Sequence, residues 1–178
     1  MSEILAIVDN HDEILEGIDR AIFDKSTGKI YRTVSLVIIN KKGEILIQKR
    51  ALNKTYPGLW DIAAAAGHVL YGENYQESAI REAKEEVGLD VTEIIPLKKF
   101  FHESQKGHRR FMQTYLAVMD ASEDDVVIQP EEVMEAKFLP LDEVKRMIEQ
   151  SPELFRDLAA EVLNQALEVY EKDRKVLR

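Results

Sequence analysis

The sequence predicts an α/β protein: an α/β/α sandwich around a mixed β-sheet, with an N-terminal β-hairpin and a C-terminal helix. Three patterns carry the prediction. Short apolar or alternating runs stand both before and after one central amphipathic stretch. That stretch has helix signals at both of its ends. A second helical stripe closes the chain.

The elements follow in order. "EILAIVDNHDEILEGIDR" reads as two short strands around a turn at Asn10–Asp12. "TVSLVIIN", Lys41-Lys42-Gly43 and "EILIQKR" read as a hairpin whose first strand is buried. "ALNKTYPGLW" is a loop punctuated by Pro57-Gly58. "DIAAAAGHV" is an extended segment, and its alanines are small enough for backbone and ligand to come close. The central helix has Asn74 as its cap, Glu77 three residues on as in a capping box, and Gly88 as its stop. Ala79, Ile80, Ala83 and Val87 give it one apolar face at ~100° per residue. "IIPLKKFFHE" and "RRFMQTYLAVMD" form a second hairpin across Ser104–His108. "EAKFLPL" is a strand and "LDEVKRMIEQ" a short helix. Ser151 is predicted to cap the last helix, with Pro152 at its first position. Its buried stripe is Phe155, Leu158, Ala159, Val162, Leu163, Ala166 and Tyr170.

The length of 178 residues suits a single domain over residues 1–178, with 1–30 as an N-terminal strand extension and 151–178 as the C-terminal helix. A 45% hydrophobic content is enough to build a core. The net charge of −9 speaks against a nucleic-acid polymer as partner, because tracking phosphates needs a basic face. With no cysteine there is no disulfide, thiolate metal site or cysteine nucleophile. No long apolar run or signal-like start is present, so no membrane partner is expected and a cytoplasmic location is. A homodimer is compatible with the sequence, which does not decide the oligomeric state.

The central helix carries Glu82, Glu85 and Glu86 on an arc of roughly 100° beside its apolar face. Like charges three and four residues apart oppose a helix by about 0.2–0.5 kcal/mol per pair. Near a C-terminus each exposed acid costs about 0.3–1 kcal/mol more. Taken alone, such a stripe reads first as a solvated acidic face. The sharper reading is a hard divalent cation, which takes carboxylate oxygens.

The wider stretch, "GHVLYGENYQESAIREAKEEVGL", decides between them. Gly67, Glu73, Arg81, Glu82, Ala83, Glu85, Glu86, Gly88 and Leu89 follow the pattern G-x5-E-x7-R-E-A-x-E-E-x-G-L. This resembles the Nudix box, and every defining position matches. Seven fixed identities occur by chance about once in a million chains of this length. The resemblance implies the Nudix fold and a metal-dependent hydrolase of a diphosphate joined to another group, often a nucleoside. It implies Mg²⁺ or Mn²⁺, held by Glu82, Glu85 and Glu86 with a backbone carbonyl from Gly67 or Ala66. It implies that Arg81 orients a glutamate, that Glu73 ties down the loop, and that Gly67 and Gly88 serve backbone conformation.

The general base stays open between the box, at Glu82 or Glu85, and the loop "QPEEVMEAKF", at Glu131, Glu132 or Glu135. Proximity to the metal favours the box. Lys49, Arg50, Lys54, Arg109 and Arg110 are candidate cations for the diphosphate, with Arg50 first. Trp60 and Tyr56 are candidates to stack on a base, against the commoner role of packing. His68 is a candidate ligand against the commoner role of a packed histidine. His11, His102 and His108 are assigned nothing.

Upstream, "VDNHDEILEGIDR", "GKIYRTVSLVIINKKGEILIQKR" and "YPGLWDIAAAAGHV" resemble the branch that includes isopentenyl-diphosphate isomerase and its hydrolase-like relatives. The isomerase uses a cysteine just before the box, where this chain has alanines. It also uses a histidine where Tyr31 stands. Both departures favour hydrolysis over isomerisation. A nucleotide-binding sensor without turnover is the other alternative, and the intact box argues against it.

Overall fold

The computed structural model describes residues 2–104 and 107–176. Nine strands and three α-helices run in the order β1 (Ile4–Val8), β2 (Ile14–Asp19), β3 (Ile30–Asn40), β4 (Glu44–Arg50), β5 (Trp60–Asp61), β6 (Ala65–His68), α1 (Tyr75–Val87), β7 (Ile95–Glu103), β8 (Arg109–Met119), β9 (Val133–Pro140), α2 (Leu141–Gln150) and α3 (Ala159–Val176). Three short 3-10 turns, Lys25–Thr27, Glu123–Asp125 and Pro152–Leu154, lie between them.

The sheet is mixed, and β3 is its spine. One edge of β3 pairs in parallel with β8 along its whole length. The other edge is shared by β1, β6 and the start of β4, all antiparallel. Alternation along β3 then sorts its side chains into two cores. Val34, Leu36 and Ile38 meet Ala79, Ala83 and Val87 of α1. Val37 and Ile39 meet Val144 and Ile148 of α2 and Val162, Leu163 and Ala166 of α3. The result is the expected three-layer α/β/α sandwich.

Two local expectations are corrected. The turn at Asn40–Gly43 forms, with Gly43 N–H donating to the Asn40 carbonyl at 3.0 Å and Gly43 at φ 80°. Yet β3 and β4 pair only at Ile39↔Ile45. They then part, because β4 is taken up by β9 over most of its length and by β5 near its end. This parting opens the sheet beside β6.

The last helix begins at Ala159 rather than at Pro152. Ser151 makes no side-chain cap bond, and Pro152 opens only a 3-10 turn. Residues 155–158 instead dock on β5: Phe155 bridges Trp60, Arg156 N–H donates to the Trp60 carbonyl at 2.9 Å, and its guanidinium pairs with Asp61. Leu158 then turns the chain with φ 68°. The predicted stripe is buried except Leu158, which is partly so. The turn of the second hairpin includes residues 105–106, outside the described residues; its flanks close with Ser104 N–H on the His108 carbonyl at 3.0 Å.

Candidate active site

Helix α1 is fixed at both ends by its own sequence. The Asn74 side chain accepts from Glu77 N–H at 2.9 Å, and the Glu77 carboxylate accepts from Asn74 N–H at 2.9 Å. Gly88 ends it at φ 73°, where an added Cβ would stand 2.9 Å from Val127 Cβ. A buried Asp12 ties α1 to the N-terminal hairpin. It accepts from Tyr75 Oη of α1 at 2.8 Å, from Arg32 Nε at 2.7 Å and from Lys99 Nζ at 2.6 Å.

So fixed, the helix lays two carboxylates against β6. Glu86, only 4% exposed, accepts from Gln48 Nε2 at 2.8 Å and from Ala66 N–H at 3.2 Å, both on Oε2. Glu82 lies on the Gly67 backbone: a Cβ at position 67 would sit 2.0 Å from Glu82 Oε1. Only glycine leaves that space. Arg81 is the hub beside them. Its Nη1 donates to Glu82 and to Glu85, each at 2.9 Å, its Nη2 to the His68 carbonyl at 3.0 Å, and its Nε to Glu73 at 2.9 Å. Glu73 also accepts from Ser78 Oγ at 2.5 Å and from Leu70 N–H at 3.4 Å, so the loop before α1 is held to the helix.

Burial makes this arrangement costly. It pushes the Glu86 carboxyl up to about 8, helped by the charge of Glu82 and opposed by Gln48, Arg50 and Ala66 N–H. Burial also lifts Glu82 to about 7 against the pull of Arg81. His68 is lowered to about 3, by burial first and then by Lys25, Arg20, Arg110 and Arg81. It stays neutral and packs on the Tyr31 ring at 5.5 Å.

The fit to a divalent cation rests on this geometry. Glu82, Glu86 and the backbone of Ala66–Gly67 form an all-oxygen donor set of the kind Mg²⁺ or Mn²⁺ takes. The buried Gln48 Oε1 beside them has no hydrogen-bond partner. Among the described residues, no three acidic or histidine side chains stand close enough to hold a metal ion as they are. Glu85, its side chain 55% exposed, sits on the outer side of Arg81.

The other candidates divide. The loop after β8 is tied to the end of α1 by Gln129 N–H on the Glu86 carbonyl and Val127 N–H on the Val87 carbonyl, both at 3.0 Å. Glu132, in that loop, forms an ion pair with Lys54. Glu131 is exposed, and Glu135 pairs with Lys137 at 3.3 Å. Arg50 donates from Nε to the Thr55 carbonyl at 2.9 Å and stands within electrostatic reach of Glu86 and Glu132. Lys49 and Lys137 lie on the Trp60 ring at 5.7 and 4.6 Å. Trp60 itself is 9% exposed and packs in the α2/α3 core, so it has no free face for a base. Tyr56 donates from Oη to Asp157 at 3.2 Å. Arg109 is spent on the Gly28 carbonyl and Asn10. Gln48 was not foreseen. Its signal was a polar residue two after Leu46, on the same core-facing side of β4.

Fold and site define an α/β/α protein whose chemistry is gathered on one acidic helix facing a glycine-bearing strand. A family model described as NUDIX domain matches residues 29–158. The chain belongs to the Nudix family and is a Nudix pyrophosphohydrolase in the general sense. It is 37% identical over 139 residues to an uncharacterised Nudix hydrolase of Pseudomonas aeruginosa, covering 78% of this chain and 79% of that one. It is 29% identical to an isopentenyl-diphosphate Delta-isomerase of Photorhabdus laumondii, covering 92% of each chain. A crystal structure from Deinococcus radiodurans superposes with a TM-score of 0.71 at 25% identity, covering 92% of this chain and 99% of that one. No described helix is long and apolar enough to cross a membrane.

Proposed function

We propose that this enzyme hydrolyses the diphosphate linkage of a nucleoside diphosphate derivative or a similar small organic diphosphate, in the cytoplasm, with Mg²⁺ or Mn²⁺. The observation that carries this reading is the pair Glu82 and Glu86, held against the Gly67 backbone at a cost in burial that a cation would repay. Glu86, Glu82 and the Ala66–Gly67 carbonyls would hold the ion, with Glu85 within reach through Arg81. A bound divalent ion neutralises phosphoryl oxygens and acidifies its water.

The chain's own groups do the rest. Gln48 fixes one oxygen of Glu86. Arg81 fixes Glu82 and the loop carbonyl of His68, so the stripe is ordered before substrate arrives. Arg50, at the end of β4, and Lys54, in the loop that follows, would take the diphosphate charge. Glu82 is our first choice as general base, since a residue that lines the ion's site is also beside the water to be activated. Glu132 is the alternative. Its link to Lys54 couples base and phosphate contact in one pair.

The test is a panel of diphosphate compounds with Mg²⁺ or Mn²⁺, read as released phosphate or nucleoside monophosphate, with and without chelator. Turnover that persists after all divalent ions are removed would sink the metal mechanism. The 29% identity to an isomerase supports a second reading, double-bond migration in isopentenyl diphosphate. The absence of cysteine and the presence of Tyr31 speak against it. Binding without any turnover would instead support a sensor.

A further inference from the structure

Arg110 forms no ion pair among the described residues. It lies on β8 between Tyr31 of β3 and His102 of β7. It is 8% exposed, and its Nε and Nη2 are shut off from solvent with no hydrogen-bond partner. No carboxylate among the described residues forms an ion pair with it. Burying a guanidinium this way is unfavourable unless something completes it. Its neighbour Arg109 shows the ordinary alternative, with bonds to Gly28 and Asn10.

The charges around Arg110 sharpen the point. Lys25 is half-buried, its Nζ lies 5.2 Å over the Tyr31 ring, and it too has no ion pair among the described residues. Burial first, and then Arg20, Arg110 and Arg50, make Lys25 give up its proton more readily than an ordinary lysine. Arg50 forms no ion pair among the described residues, although Asp61, Glu86 and Glu132 lie within its electrostatic reach, whereas Arg20 pairs with Glu3 at 2.5 Å. Acids are not scarce, since the chain has 33 against 24 lysines and arginines. The carboxylates on this side are engaged elsewhere. Asp61 pairs with Arg156, and Asp157 accepts from Tyr56 Oη and faces His102 Nε2 at 3.8 Å.

The backbone that carries Arg110 is separated from the one on which Glu82 lies. Arg110 stands opposite Tyr31, and Gly67 stands opposite Val34. Two strand spacings and three residues place the two backbones about 10 Å apart sideways and about 10 Å along the strands. A guanidinium suits a phosphoryl or carboxylate group because its donors match two oxygens at once. We propose that Arg110 and Lys25 form a second anion site, which takes a phosphoryl or carboxylate group at the end of the substrate remote from the diphosphate on α1. The enzyme thus selects compounds that are anionic at both ends. The assignment of that group to a substrate rests on the hydrolase reading; the anion site itself does not.

The test separates the two. In chelator, thermal unfolding is followed with inorganic phosphate against sodium chloride at matched ionic strength, for the wild type, Arg110→Met and Lys25→Gln. The wild type gains melting temperature with phosphate, Arg110→Met loses that gain, and Lys25→Gln weakens the apparent phosphate affinity severalfold. Without phosphate, Arg110→Met melts at or above the wild type. Should Arg110→Met fail to fold, Lys25→Gln alone decides. With metal, Arg110→Met raises KM at least tenfold more for substrates with a second anionic group than for substrates lacking it. The proposal is overturned by a wild type indifferent to phosphate, by variants that keep the full phosphate effect, or by a KM change equal for both substrate classes. The chelator arm needs no turnover, so it stands or falls apart from the hydrolase reading.

Discussion

The Glu86→Gln substitution replaces an ionisable group with a neutral one of the same shape at a site that resists charge. Both hydrogen bonds that Glu86 accepts fall on Oε2. A glutamine with its carbonyl in that place keeps both. What changes is the energy of ionisation. The carboxyl is raised from 4.5 to about 8 in the metal-free fold. A carboxyl with a raised folded pKa supports the fold below pH 4.5, and that support is lost as pH climbs toward 8. At pH 7 the loss is about 3 kcal/mol for a shift of this size. Glutamine escapes it. The variant in chelator should therefore melt roughly 6–12 °C above the wild type at pH 7, with the gap widening toward pH 8 and closing below pH 4.5. Its kcat should fall on the order of 10²–10⁴, or roughly 3–5 kcal/mol of transition-state stabilisation. Mg²⁺ should raise the melting temperature of the wild type and do little for the variant. The assays are calorimetric melting across pH and a metal titration of the melting temperature. A variant that melts below the wild type at pH 8 in chelator, or a gain independent of pH, would refute the reasoning.

Gly67→Ala should push the Glu82 carboxylate off β6, since the new Cβ would stand 2.0 Å from Oε1. Overpacking of about 1–3 kcal/mol in denaturant melts, with metal affinity lost alongside activity, is expected; wild-type metal affinity would show that Glu82 moves aside at no cost. The base is resolved by kcat and metal titration of Glu82→Gln, Glu131→Gln, Glu132→Gln and Glu135→Gln together. We expect Glu82→Gln to be as damaging as Glu86→Gln and the loop variants mild; a loop variant inactive at normal metal affinity would move the base to the loop. Asn74→Ala opens the capping box and should cost about 1 kcal/mol in chemical denaturation while kcat holds; an unchanged midpoint would mean that packing alone fixes the helix start.

What could be read in advance was what depends on near neighbours in the chain. The capping box of Asn74 and Glu77 and the stop at Gly88 are local chemistry, and α1 has those ends. The Asn40–Gly43 turn is equally local. The fate of the strands it joins is not, because β3 is claimed by β8 and β4 by β9, 79 to 96 residues on in the chain. Pairing at that separation leaves no trace in a hairpin signature. Ser151-Pro152 is a valid helix start, and the chain uses it for one 3-10 turn. The bonds of Arg156 to β5 and the left-handed Leu158 then override it.

The site divides the same way. The acid stripe was legible because a helix puts residues 82, 85 and 86 on one arc whatever surrounds it. Trp60 takes the commoner of its two expected roles, packing, though a loop position did not say which core would receive it. Arg109 and Arg110 could not be told apart in the sequence, yet alternation on β8 sends one to the loops and the other into the interior. That last difference bears on the chemistry. Burial resists the ionisation of Glu82 and Glu86, and Arg110 and Lys25 form no ion pair among the described residues. Placed side by side, the two groups would neutralise each other. The strands that carry Gly67 and Arg110 lie on opposite edges of β3. A substrate that brings a divalent ion on one phosphate and a bare anionic group at its far end meets both needs at once. A substrate with either feature alone meets one. On the proposed reading, the electrostatics of the free enzyme would favour the substrate that meets both needs.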